Sequence, residues 1–285
     1  MKPQFTNNIM SSFLLWLDNK ILTKGEAFYN VGSKFYPTNT IWNGFYAYSA
    51  PYKQFIYDSS IPNATVMTGI YLNNNFIGTG ISGFKAINYQ EGLVLFSNNM
   101  NSSTISGNYS AKEVNIKLVA DSEEKVLFET KYYKNGTITL NTGNYTNYEP
   151  FPVIYVSNDR GSNEEFAFGG EDITRNTINC IVFADSSFQL DALKSIFEDS
   201  ERTCMPILTG WEFPFNVYGH LKTGYFNYTG VFAQKIQNDN SIAYVQDVNN
   251  LKLNSELMKD IREINPNIFV KIYQFDIEAI RNPRI

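Results

Sequence analysis

The sequence predicts an α+β fold in three parts. An N-terminal helix and an aromatic-rich arm occupy residues 1–60, an antiparallel β-sandwich or barrel 61–148, and an α+β domain of strand-strand-helix units 149–285. Three observations carry that prediction. Apolar residues near the start recur every four positions, the spacing of one helix face. Between Thr65 and Leu140, short alternating runs are separated by turn residues at even intervals, as in all-β domains. The last third mixes long β-type runs with helical periodicity, the pattern of an α+β unit.

The first helix is predicted over residues 7–23. Ile9, Phe13, Leu17 and Ile21 form its stripe, thickened by Leu14 and Trp16 and interrupted by Asp18. Thr6 or Asn7 is the expected cap, and Gly25 the expected stop, in the left-handed conformation past a helix end. Residues 28–57 follow as an irregular segment dense in Phe and Tyr and broken by Pro37 and Pro51. Such density serves as core or as contact surface.

In the β region, VMTGIYLNN ends in a hairpin-type turn at Asn73-Asn74-Asn75. Ile87 and Tyr89 precede a Gln-Glu-Gly turn, and Leu93 and Leu95 resume the alternation. Val114, Ile116 and Leu118 alternate again, Asn135-Gly136 marks another turn, and residues 141–149 read as a linker. In the last part, 150–158 is an expected strand, 159–172 a polar excursion, and ITRNTINCIVFAD a long strand. A helix begins at the capping-box pair Ser186 and Gln189. Phe188, Ala192, Leu193, Ile196 and Phe197 form its expected apolar face, and Pro206 blocks its continuation. Strands are expected over 223–234, 242–253 and 267–278, with a second helix over 254–263.

Composition narrows the function. The 285 residues are 43% hydrophobic, enough for a sizeable core, and 18% charged, with a net charge of -5 and a pI near 5.1. Lys and Arg are scattered, so the clustered basic surface of a nucleic-acid binder is missing. Roughly one residue in eight is Asn, well above ordinary usage. The apolar run from Phe13 to Leu17 is too short for a signal core or a bilayer span, so a soluble chain made in a cytoplasm is expected.

Catalytic patterns are sparse. The single histidine, His220, sits in YGHLKTG, a turn expected to be exposed, and one histidine cannot make a multi-histidine metal site. Neither a Gly-x-Ser-x-Gly elbow nor a Walker A sequence is present. Gly78-Thr79-Gly80-Ile81-Ser82-Gly83 has dinucleotide-loop spacing but is flanked by strand patterns, so a β-turn cluster is expected. Cys180 reads as a buried strand residue and Cys204 as a free thiol past a helix end. Acidic residues cluster in turns at Asp121–Glu124 and at Glu164-Glu165. The expectation is therefore a chain that is no enzyme and holds no cofactor or metal.

One resemblance adds to this. The strand FPVIYV, the polar hairpin carrying Glu164 and Glu165, the strand TINCIVF and the helix opening SFQLDAL together resemble the tail-terminator and tail-completion (neck) proteins of tailed bacteriophages, over residues 150–210. The N-terminal helix and the β region have no counterpart in the small terminators. The resemblance implies a virion structural protein, assembled in the host cytoplasm as a homo-oligomeric ring, hexameric or dodecameric, that joins head and tail. Its implied neighbours are neck, tail-tube or sheath proteins, and DNA passes through without sequence-specific binding. In that setting Phe13, Leu17, Trp42, Tyr46, Phe188 and Leu193 are candidate subunit-interface residues. Glu123, Glu124, Glu164 and Glu165 are candidate lumen-facing acids. A different reading is a carbohydrate- or receptor-binding β module of a tail or baseplate, stacking sugars on Trp42, Tyr46, Tyr48 and Tyr52. A third is a hydrolase with two facing carboxylates.

Overall fold

The computed structural model describes residues 4–119, 151–165, 171–239, 241–253, 259 and 268–281. Helix α1 spans Phe5–Lys24. Its cap lies ahead of the expected Thr6 or Asn7: the Gln4 N–H donates to Asn7 Oδ1 at 3.2 Å. At the other end Gly25 has φ -89, and the left-handed residue is Glu26, with φ 47. Gly25 is needed for space, because a Cβ there would stand 2.8 Å from Ile21 O and 3.0 Å from Ile196 Cδ1.

Strands β1 (Phe28–Trp42), β2 (Phe45–Ser49), β3 (Gly69–Leu72), β4 (Asn75–Gly78), β5 (Phe84–Asn88), β6 (Leu93–Phe96) and β7 (Ile105–Lys112) form one antiparallel sheet. Their order is β4-β3-β7-β1-β2-β6-β5, and the sheet curls into a nearly closed barrel. The Asn73-Asn74 turn links β3 to β4 with φ of 49 and 69, the left-handed pair of a tight hairpin. The glycine-rich 78–83 segment is the turn from β4 to β5 and opens no helix.

Residues 28–57 differ most from expectation. They are β1 and β2, at the centre of the sheet, followed by a segment that buries Phe55, Ile56 and Tyr57. Pro37 is accommodated at a pairing irregularity between Pro37 and Ile41, where β1 and β2 lose register. The first sheet thus draws on residues 28–112, across the boundary expected at residue 60.

A second sheet has the order β11-β12-β13-β10-β9-β8. It contains β8 (Asn115–Leu118), β9 (Val153–Glu165), β10 (Asp172–Ala184), β11 (Cys204–Pro206), β12 (Ile242–Leu251) and β13 (Phe269–Arg281). Only β8 runs parallel to its neighbour, β9. The first half of the polar excursion is strand: β9 continues through Glu165, paired with β10 across a bulge at Thr177/Ile178. Ladder pairing needs backbone groups and not apolar side chains, so polarity hid it.

Helix α2 (Ser187–Glu198) starts as expected, with Ser186 Oγ accepting from the Gln189 N–H at 3.3 Å. Residues 228–234, expected as part of a strand, form helix α3 (Tyr228–Gln234). Asn227 caps it, Oδ1 accepting from the Gly230 N–H at 2.7 Å, and Tyr228 stacks on Phe232 one turn later. The expected helix over 254–263 lies outside the described residues apart from Lys259.

One core joins the layers. Phe13 of α1 meets Phe275 of β13 at 5.1 Å between ring centroids, Trp16 meets it at 6.2 Å, and Phe197 of α2 at 5.3 Å. The same cluster continues into the first sheet through Phe55, Phe96 and Tyr109. Fully burying side chains of this kind contributes about 1.5–3 kcal/mol each.

Candidate functional site

The second sheet runs past the core. On β9 only Val153 to Val156 are buried, and the side chains from Asn158 to Glu165 are exposed. Strand β8 pairs with β9 only through Val156. The outer edge of β9 from 157 to 165 therefore has no strand partner among the described residues. At about 3.3 Å per residue it is roughly 30 Å long. On the opposite side, β11 covers β12 only from Ile242 to Tyr244. The outer edge of β12 from 246 to 251 is likewise unpaired among the described residues. Two open edges on opposite sides of one sheet can pair with two further strands.

This extension has a polar face. Arg175 bridges Glu164 at 2.6 Å and Glu278 at 3.1 Å, and Thr177 donates to Asp276 at 2.8 Å. Gln246 donates to Glu278 at 3.5 Å. Glu164 is thus tied into a cross-strand ion pair, while Glu165 ends the exposed edge. Glu123 and Glu124 lie outside the described residues.

The structure corrects three of the interface candidates. Phe13 and Leu17 are 0% exposed and Leu193 is 3% exposed, all packed in the chain's own core. A helix stripe unmatched in sequence found its partner inside the same chain. Trp42 is half-buried and packs with Phe45 and Tyr218 over Ala47, Ala86, Leu93 and Leu95. Tyr46 and Phe188 remain on the surface, Phe188 because α2 turns Leu190, Leu193 and Phe197 inward. The four aromatics of the sugar-binding reading form no platform. Tyr48 is buried, Trp42 faces the Tyr218 side, and Tyr52 packs edge-on against Tyr29.

A cleft of about 430 Å³ opens beside α1, between Leu14, Phe213 and the β8 residues Ile116 and Leu118. Its floor holds a buried ion pair, Lys112 Nζ to Asp18 Oδ1 at 2.6 Å. Lys112 also lies 4.7 Å from the Tyr57 ring centroid. Burial, with Asp18 alongside, pushes the Tyr57 phenol well above its ordinary range, so it stays protonated. These groups satisfy one another and tie α1 to the end of β7. The signal for them was Asp18 itself, a carboxylate inside an apolar stripe.

His220 is half-buried, contrary to the exposed turn expected. Its Nδ1 accepts from the Ile87 N–H at 3.3 Å, and its ring stacks on Tyr89. Burial lowers its pKa below the usual 6.5. Cys180 and Cys204 are free thiols, and burial pushes the Cys180 thiol well above its ordinary range, which makes it unreactive.

Among the described residues, no three His, Cys, Asp or Glu side chains gather as metal ligands do, and no helix is long and apolar enough to cross a membrane. Trp211, which the sequence did not single out, is 91% exposed. Its signal was Thr209-Gly210-Trp211-Glu212, a Thr-x-x-Glu pattern that locks a turn. No protein-family model matches the chain, and no curated protein matches it either.

Proposed function

We propose that this chain is a ring-forming structural subunit of a tailed-phage virion, placed at the neck or tail-completion position between head and tail. The observation that supports this reading is the pair of edges on β9 and β12, at opposite sides of the extended second sheet, that have no strand partner among the described residues. An edge that meets a different edge on the next copy makes a heterologous contact, and such contacts close into rings when the rotation per copy divides a full turn. Asp159, Arg160, Glu164 and Glu165 and the bulge on β9 guard that edge against indiscriminate pairing, so a partner must match their charge pattern. The order of strand, polar segment, strand and capped helix lies within residues 150–210, the stretch that resembles tail-completion proteins. Glu165 and its neighbours at the hairpin end face a DNA passage, where negative charge keeps the duplex from adhering. The chain has no catalytic role in this reading. Its neighbours are neck, tail-tube or sheath proteins, and it resides in the virion. Native mass spectrometry and negative-stain microscopy of the purified chain test the proposal, with rings of a single order expected. A chain that stays monomeric under all assembly conditions and is missing from virions refutes it.

A further inference from the structure

The first sheet ends at β5, whose one strand partner in the sheet order is β6. In an antiparallel strand every second N–H points away from a given neighbour. On this edge the outward donors are Ile87 and, just past the end of β5, Tyr89. The Ile87 N–H donates to His220 Nδ1 at 3.3 Å, and the Tyr89 N–H donates to Gly219 O at 3.2 Å. An imidazole thus takes the place that a carbonyl of a further strand would fill. Both residues are buried, Ile87 at 0% and Tyr89 at 2% exposed.

The cover is a preformed turn over residues 214–222. Asn216 organises it. Its Oδ1 accepts from the N–H groups of Tyr218 at 2.8 Å and His220 at 3.2 Å, and its own N–H donates to His220 O at 2.9 Å. The Lys222 N–H closes the ends by donating to Pro214 O at 2.8 Å. Gly219 has φ 72, and a Cβ there would stand 2.3 Å from Asn88 Oδ1, so only glycine lets the turn approach this closely. Tyr218 packs edge-on against Phe45 at 5.4 Å and helps to cover Ala86, Leu93 and Leu95.

We infer that His220 is a pH-sensitive latch on the edge of β5. The neutral ring, with its proton on Nε2, accepts from the Ile87 N–H and holds the turn down. A solvent proton taken up at Nδ1 makes that nitrogen a donor, so it no longer accepts and the Ile87 N–H loses its partner. The turn then lifts, and the Ile87 and Tyr89 N–H groups become an open strand edge. The inference stands apart from the ring reading, because β5 belongs to the first sheet and the proposed ring contacts to the second.

The surroundings of the ring do not favour the cation. Tyr89 stacks on it at 6.2 Å, its hydroxyl donating to Met67 O. Lys85, two residues ahead of Ile87, holds its ammonium over the Phe45 and Tyr218 rings. Lys222, in the turn itself, donates to the carbonyls of Gly210 and Trp211. Tyr57, still protonated, meets the turn through Phe215. Glu91 is exposed beyond β5, and no carboxylate bonds to the ring among the described residues. Burial lowers the ring's pKa below 6.5, so the latched state binds fewer protons than the open one, and opening is favoured as pH falls through that value.

His220 is the one histidine in the chain, so a single set of imidazole resonances reports its titration by NMR. Amide hydrogen exchange of the full chain, expressed as protection factors, reports the latch. Ile87 and Tyr89 are expected to lose protection by up to about 30-fold between pH 7.5 and 5, the ratio for a ring that titrates at 6.5 only when released. Ile181, on the doubly paired β10, is expected to keep its protection. His220→Asn puts an amide oxygen where Nδ1 stands, and is expected to hold Ile87 and Tyr89 at one level across that range. If this variant does not fold, the wild-type profile decides alone. Protection at Ile87 that stays constant while the ring titrates overturns the inference. So does an Asn variant that loses protection in step with wild type. Loss at Ile87, Tyr89 and Ile181 together means global unfolding, which also overturns it.

Discussion

Replacing Asp18 by Ala should destabilise the fold by about 3–5 kcal/mol, the usual cost of stranding one member of a buried ion pair. The Lys112 and Asp18 side chains are 5% and 6% exposed and stand 2.6 Å apart. Without Asp18 the ammonium keeps the Tyr57 ring at 4.7 Å, a contact worth about 2 kcal/mol. No carboxylate replaces the lost one, because Asp58 is engaged with Asn19, Ser60 and the Tyr228 N–H. A domain's total stability is about 5–15 kcal/mol, so the variant forfeits a large share of it. Lys112→Met should also destabilise the fold, because it leaves the Asp18 carboxylate buried without its cation. The double variant Asp18→Leu, Lys112→Met should return to within about 1 kcal/mol of wild type, because apolar side chains of similar volume carry no desolvation penalty. Urea unfolding followed by tryptophan fluorescence measures all three, and an unchanged denaturant slope is the condition for comparing midpoints. A loss below about 1 kcal/mol for Asp18→Ala, or a double variant worse than either single one, would refute the reasoning.

Further predictions concern other joints of the fold. Gln54 spans the edge of β8 like an added strand, its Nε2 donating to Ile116 O at 2.7 Å and its Oε1 accepting from the Ile116 N–H at 3.1 Å. Gln54→Ala should cost about 1–3 kcal/mol for each group left unpaired and speed exchange of the Ile116 amide, and a protected amide would argue against the clasp. Gly92 has φ 63, and a Cβ there would stand 2.3 Å from Tyr52 O, so Gly92→Ala should cost at least about 2 kcal/mol in thermal or urea unfolding. Gly44→Ala, at φ 83 with open space around it, should cost about 1 kcal/mol. For His220, burial keeps the folded imidazole neutral while the unfolded one takes up a proton near pH 6.5. The unfolded state then binds more protons, so stability is lost as pH falls through and below that value. His220→Gln should flatten the slope between pH 7.5 and 5.5, and equal slopes for the two proteins would exclude the effect.

Much of the fold was legible where one period dominates a segment. The stripe Ile9, Phe13, Leu17 and Ile21 marks α1 because Trp16 joins it at i+3 and i+7, positions that a strand would turn to the opposite face. The Asn73-Asn74 turn and the alternation around Leu93 and Leu95 mark hairpins for the same reason. Legibility failed where tertiary pairing overrode local chemistry. Pro37 and the turn residues near it suggested an arm, yet β1 absorbs Pro37 at a register break and is paired on both sides. The exposed half of β9 had no apolar alternation to find, because its pairing with β10 is made by backbone groups. Phe188 was assigned to the buried face of α2, but Leu190 takes that place, since a face only three turns long is fixed by what it packs on. The buried Asp18–Lys112 pair joins positions far apart in the chain, and no local pattern links them.

The fate of the N-terminal stripe decides what kind of interface this chain can offer. Had Phe13, Leu17 and Leu193 been on the surface, subunits would have met over a broad apolar face of the kind found in obligate oligomers. Instead those side chains fill the chain's own core. Among the described residues, what is left outside is backbone, in the edges of β9 and β12 without a strand partner, and single aromatics such as Trp211 and Tyr46. Edges supply directional hydrogen bonds but little desolvation, and an isolated indole supplies desolvation at one point. Contacts of that type hold weakly one at a time and firmly when each copy engages two neighbours at once. In the ring proposed above, such contacts strengthen one another once the last copy closes it.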